Sequence, residues 1–166
     1  MSRPVTTDVR EATDDDALAV SGVILKALRQ INAKDYSPEI IERVEASFSP
    51  SAVLNLLKQR KVFVALHDQQ IVGTASLDGN AVRTMFVAPD VQRRGIGRRL
   101  MEAVEAAARI SRVKVLVVPS SVTAEQFYAR LGFQTVRDSF HGEERTVIME
   151  RTLTNPGPCA APPLSS

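Results

Sequence analysis

The sequence predicts a mixed α/β domain built on a mostly antiparallel sheet flanked by helices. Three patterns carry that prediction. Strand-like runs from Lys61 to Leu66, Ile71 to Leu77 and Ala81 to Val87 are joined by the short turns Asp68-Gln69-Gln70 and Asp78-Gly79-Asn80. Turns this short make an antiparallel meander, because parallel neighbours need a crossover of a dozen or more residues. A long amphipathic stretch then separates Val87 from the next strand-like run, Lys114 to Val118, and is a candidate right-handed crossover. Two further runs, Gln134 to Phe140 and Arg145 to Leu153, close a sheet of about six to seven strands.

In chain order, Val5 to Glu11 reads as a first strand, and a helix follows from Asp15 or Asp16 to about Ile31. Leu18, Val23 or Gly22, Leu25, Leu28 and Ile31 approximate one face of it, and the aspartates suit the positive end of its dipole. Ser37-Pro38 and Ser49-Pro50 each place a capping hydroxyl before a proline at the first helical position, where the missing amide hydrogen is harmless. Short helices follow both. After the meander, the crossover helix carries Ile96, Leu100, Val104 and Ala107 on one side, with Arg99, Glu102, Glu105 and Arg109 mostly on the other. A last helix runs from Thr123 to Leu131, and Gly132 ends it.

The 166 residues fit one domain spanning 1–153, followed by a proline-rich tail at 154–166. Hydrophobic residues make up 44% and charged ones 24%, ordinary for a globular protein. The formal net charge of +2 gives no broad attraction to nucleic acid or membrane, so the basic residues matter by location. Cys159 is the only cysteine, which excludes an intrachain disulfide and favours the cytoplasm. No signal-peptide core or membrane-spanning apolar run is present. Two histidines and a tail cysteine support neither a metal site nor a Cys-His pair.

The densest chemistry lies in Gln92-Arg93-Arg94-Gly95-Ile96-Gly97-Arg98, where a strand stops and a helix begins. Gly95 and Gly97 let amide donors approach an anion closely, and the helix adds its dipole and unsatisfied amides. Four of the seven positions from Arg93 to Arg99 are arginine, whose planar fork grips phosphate through paired hydrogen bonds. The expected guest is a pyrophosphate. The pattern GxxxxGK[ST] is absent, and Leu100 stands where GxGxxG needs its last glycine or alanine, so ATP and NAD are disfavoured.

A second segment, Phe127-Tyr128-Ala129-Arg130-Leu131-Gly132-Phe133, follows about 30 residues later. Together with Met85-Phe86-Val87-Ala88-Pro89 running into the Gln-x-x-Gly-x-Gly turn, it resembles the GNAT superfamily of acetyl-CoA-dependent N-acetyltransferases, in its bacterial single-domain form. The resemblance is strongest from about Ile71 to Phe133. It implies two central parallel strands, Ala81 to Val87 and Lys114 to Val118, that splay to admit acetyl-CoA. It also implies pantetheine beside backbone at Phe86 and Val87, and pyrophosphate on Arg93, Arg94, Gly95, Ile96, Gly97 and Arg98. Tyr128 matches the tyrosine that many members use to hydrogen-bond or protonate the leaving sulfur, and the amide of Val87 would face the oxyanion. Ser121 replaces an asparagine that many relatives use on the cofactor.

The chemistry so implied is attack of an amine on a thioester within a ternary complex. An amine of pKa ~10.4 is almost wholly protonated at pH 7, so an unassisted site loses about 4.6 kcal/mol in raising the free amine. A base or a water relay is therefore expected. Arg83 and Thr84 occupy the strand region where some members carry a glutamate base, which leaves that role unassigned. Asp35, Tyr36, Glu39, His141, Glu143 and Glu144 are the remaining candidates. The expected partner is an amine-bearing small molecule or peptide, with a homodimer left open and nucleic acid, membrane and metal not expected. A CoA-binding regulatory module without turnover is the alternative.

Overall fold

The computed structural model describes residues 7–30, 37–88, 95–122, 124–142 and 144–153. Its elements are β1 (Thr7–Glu11), α1 (Ala17–Gln30), α2 (Pro38–Ala46), α3 (Pro50–Gln59), β2 (Lys61–His67), β3 (Gln70–Asp78), β4 (Ala81–Val87), α4 (Ile96–Ile110), β5 (Val115–Ser120), α5 (Glu125–Arg130), β6 (Gln134–His141) and β7 (Glu144–Thr152). They build a seven-stranded sheet in the order β1-β2-β3-β4-β5-β7-β6. Every neighbouring pair is antiparallel except β4 and β5. The predicted meander and crossover are both present, and β4 has the predicted bounds.

The proline-led helices start as their sequences require. The Ser37 hydroxyl accepts from the Ile40 amide at 3.3 Å, and that of Ser49 accepts from Ala52 at 3.2 Å. At α1 the start differs from expectation, because a 3₁₀ turn over Asp14–Asp16 precedes it. Asp16 turns back to accept from the Thr13 amide at 2.8 Å and takes two bonds from Arg10, at 2.8 and 3.1 Å. The Arg10 guanidinium, more than the Thr13 amide, holds the Asp16 carboxyl down to about 2, against an opposing effect of burial.

Lowering the folded-state pKa means that this contribution is fully present above the unfolded value near 4, and is lost as pH falls through about 2. Asp16→Asn should reduce unfolding free energy by on the order of 2 kcal/mol at pH 7. Urea denaturation should show that deficit shrinking below pH 4; a deficit independent of pH would reject the ion-pair account.

The sheet carries a core on each face. On one side α1 packs Ala17, Val20, Ile24 and Leu28 with Val53 of α3 and Val64 of β2. The buried stripe is rotated from the predicted one: Leu18 is 74% exposed. Helix α1 is apolar around much of its circumference, so periodicity allowed more than one face, and packing chose the i, i+3, i+4 series through Val20 and Ile24. On the other side α4 packs Ile96, Leu100, Met101, Val104 and Ala108 over Ala65, Ala75 and Leu116. A Cβ at Gly73 of β3 would stand only 3.0 Å from Leu100 and 3.2 Å from Ile96, so this glycine lets the start of α4 settle close to the sheet.

Glu105 departs from the solvent-facing role expected of it. It is buried on α4, where its carboxylate binds Arg151 of β7 and lies 3.7 Å from Arg109. A buried carboxylate requires such partners, and Arg151 comes from a strand about 45 residues away that helical periodicity cannot place.

Candidate active site

The parallel strands β4 and β5 meet at one bridge, Ala81 with Val117. Beside it the Val117 amide donates to Asn80 O at 2.9 Å, and the Asn80 side chain donates to Val115 O at 3.3 Å. Beyond this fastening no further β4–β5 pair forms among the described residues. A cleft of about 830 Å³ occupies the gap, with Phe86 and Val87 on one lip and Val118, Pro119 and Ser120 on the other. The splay expected of these two strands is thus present. No helix among the described residues is long and apolar enough to cross a membrane.

An irregularity in β4 shapes the cleft further. Thr74 pairs with Phe86 and Ser76 with Arg83, so Thr84 and Met85 together oppose Ala75 in a bulge. Thr84 has φ +57°, a left-handed value that a β-branched residue adopts only under constraint. Its hydroxyl accepts from Arg60 Nη1 at 3.1 Å. Past the bulge, Met85 and Val87 pack against the α4 core, whereas Phe86 packs against the α1 core and meets Phe48 edge to face at 6.1 Å. Nothing in Ala81-Val82-Arg83-Thr84-Met85-Phe86-Val87 announces a bulge, since no glycine marks it.

At the other end of the gap, Gly95 is the N-cap of α4, with φ +75° and no side-chain cap. The first helical amides, of Ile96, Gly97 and Arg98, precede any residue that could supply them with an intrahelical acceptor. These residues and Gly95 line the cleft. The glycines have separate roles. Gly95 permits the left-handed turn, and a Cβ there would meet nothing within 4 Å. Gly97 makes room for a ring instead: a Cβ would stand 2.7 Å from Phe127 Cζ. Arg93 and Arg94 lie outside the described residues.

Helix α5 sets Tyr128 in the cleft wall, its ring edge to face with Phe127 at 5.1 Å and Phe133 at 5.9 Å. Tyr128 is 5% exposed, and burial pushes its phenol above the ordinary tyrosine value, so the hydroxyl keeps its proton at neutral pH. Among the described residues that hydroxyl has no hydrogen-bond partner, yet no buried polar side-chain atom is left unsatisfied, so its oxygen reaches accessible space. Ser121 also lines the cleft, although its hydroxyl accepts from the Ala124 amide at 3.2 Å and so braces the entry to α5.

Sequence reasoning did not single out the opposite wall, formed by Ile40, Ile41 and Val44 of α2 with Phe48. Their helical spacing was visible, but it reads equally well as core. Arg60 and Arg130 were also missed. Among the described lining residues the ionisable side chains are Arg60, Arg83, Arg98, Arg130 and Tyr128, with no carboxylate or imidazole. Of the proposed bases, Glu39 is exposed on the first turn of α2 and is not among the residues that line the cleft. Asp35, Tyr36 and Glu143, and the side chains of His141 and Glu144, lie outside the described residues.

Residues 32–151 match the family described as Acetyltransferase (GNAT) domain. Over 129 residues, covering 78% of this chain and 82% of the relative, the sequence is 29% identical to the uncharacterized N-acetyltransferase YafP of Escherichia coli strain K12. Among solved structures it resembles a GCN5-related N-acetyltransferase from Rhodopseudomonas palustris, with a TM-score of 0.82 and 26% identity over 89% of this chain and 96% of that one. It also resembles the PaiA N-acetyltransferase of Thermoplasma acidophilum in complex with coenzyme A, with a TM-score of 0.77 and 19% identity over 89% of this chain and 99% of that one.

Proposed function

Because this chain belongs to the acetyltransferase (GNAT) domain family, we propose that it transfers the acetyl group of acetyl-CoA to a primary amine of a small molecule or peptide, by direct attack in a ternary complex. The observation that carries this reading is the gap left by β4 and β5 beyond Ala81 and Val117, running between the uncapped start of α4 and Tyr128. The coenzyme A complex of PaiA, a protein of the same fold, supports the choice of ligand.

The residues fit an elongated anionic thioester. Amides of Ile96, Gly97 and Arg98 would hold the pyrophosphate, aided by the helix dipole and the Arg98 guanidinium. The arm would run beside Phe86 and Val87, and Ser121 braces the wall that carries Tyr128. The thioester supplies an activated acyl group and a thiol leaving group that ionises near pH ~8.5, far more readily than an alcohol. Tyr128, kept neutral by burial, would donate a hydrogen bond to the sulfur as negative charge builds on it.

We assign proton removal from the incoming amine to water or to the amine's own ionisation, a reading supported by a lining that, among the described residues, holds no carboxylate or imidazole. The acidic limb of log kcat/KM should therefore follow the acceptor, shifting down by about 2 pH units when an amine of pKa ~10 is replaced by one near ~8. Thiol release from acetyl-CoA, followed over a panel of amines and pH values, measures this. A limb fixed at one pH for all acceptors would reveal an enzyme base. Coenzyme binding with no release for any amine would favour the regulatory module.

A further inference from the structure

Arg60 stands at the junction of α3 and β2, and its guanidinium extends to the bulged part of β4. Besides the bond to Thr84, its Nε lies 3.7 Å from Asp78 Oδ2, the same oxygen that Arg83 Nε approaches at 3.3 Å. One carboxylate, itself not part of the cleft lining, thus serves two guanidiniums, and the described lining residues include no anion. The Arg60 side chain is 19% exposed, and burial, reinforced by Arg83, weakens its hold on its proton despite Asp78. A guanidinium has five donors in a planar fork, and Thr84 and Asp78 leave part of that fork unused. Thr84 is held in its left-handed conformation where it meets Arg60, so local strain and a partly neutralised cation coincide on the cleft wall.

The remainder of that wall is apolar, with Ile41, Val44 and Phe48 facing the cleft. An acceptor carrying only a cationic amine would bring like charge to these arginines. A molecule pairing its amine with an anion would not. On the reading that this protein acetylates amines, we infer that the acceptor bears a carboxylate, received by the fork of Arg60, and an apolar body lying against α2, as in an apolar amino acid. Planar carboxylate matches a planar guanidinium through two parallel bonds, which a neutral amide or ester cannot reproduce.

The test compares matched acceptors: leucine with leucinamide and isopentylamine, and phenylalanine with phenylalaninamide and phenethylamine. Each rate is expressed per free amine, because the neighbouring group alters the amine pKa. The carboxylate member should be favoured at least tenfold in kcat/KM, mainly through KM. Arg60→Gln should bring that preference close to unity and Arg60→Lys should restore part of it, whereas a merely structural role would depress all acceptors alike. Release of CoA thiol from every acceptor without preference for the acids overturns the assignment while leaving acetyl transfer intact. No release from any amine, in protein that binds acetyl-CoA, overturns both.

Discussion

Gly95→Glu should lower the affinity for acetyl-CoA by about 100-fold, equivalent to about 2.7 kcal/mol, while leaving the fold in place. The prediction separates electrostatics from sterics. A side chain at this position has open space, since an added Cβ meets nothing within 4 Å. Its backbone, at φ +75°, would bear on the order of 1–3 kcal/mol of strain with any non-glycine residue. Gly95→Ala isolates that strain. The glutamate adds a carboxylate at the positive end of a 15-residue helix, where it is itself stabilising and competes for the amides that a phosphate would need. Two unit charges ~4 Å apart at an effective dielectric of ~20 repel by about 4 kcal/mol, more than enough for the expected loss. Titration calorimetry at low and moderate salt decides the matter: the deficit of the glutamate variant should exceed that of the alanine variant and narrow as salt rises. Equal affinities for parent and glutamate variant would remove the cradle from the start of α4.

Tyr128→Phe should reduce kcat by about 10- to 100-fold with little change in the KM for acetyl-CoA, the signature of an interaction made mainly in the transition state. The substitution keeps the ring that packs between Phe127 and Phe133, so the melting temperature should barely move. Burial raises the phenol's pKa, which means that its protonated form persists across neutral and mildly alkaline solution. The parent-to-variant ratio should therefore stay flat from pH 6 to 9. A ratio near one throughout would strip Tyr128 of the donor role, and a ratio declining with pH in that interval would show that the phenol ionises far earlier than its surroundings imply.

Much of this molecule is decided by short stretches of chain. Ser-Pro pairs start α2 and α3 because a hydroxyl and a ring at adjacent positions meet purely local demands of a helix end. The turns around Asp68 and Gly79 are too short for anything but an antiparallel meander, and the interval from Val87 to Lys114 is long enough for a crossover helix. Gln-x-x-Gly-x-Gly and Phe-Tyr-x-x-x-Gly-Phe likewise carried the resemblance to the family that residues 32–151 match, because each motif is written within a few residues.

What the tertiary structure alone decided involves partners distant in sequence. The face that α1 buries, the burial of Glu105 against Arg151, the room that Gly97 leaves for Phe127, the bulge at Thr84 and the reach of Arg60 to that bulge each depend on where another element lies. Local propensity fixes backbone conformation over a few residues, whereas the identity of a buried neighbour is set by packing across the whole sheet, so the cleft wall of α2, Phe48 and Arg60 is legible only in the tertiary structure.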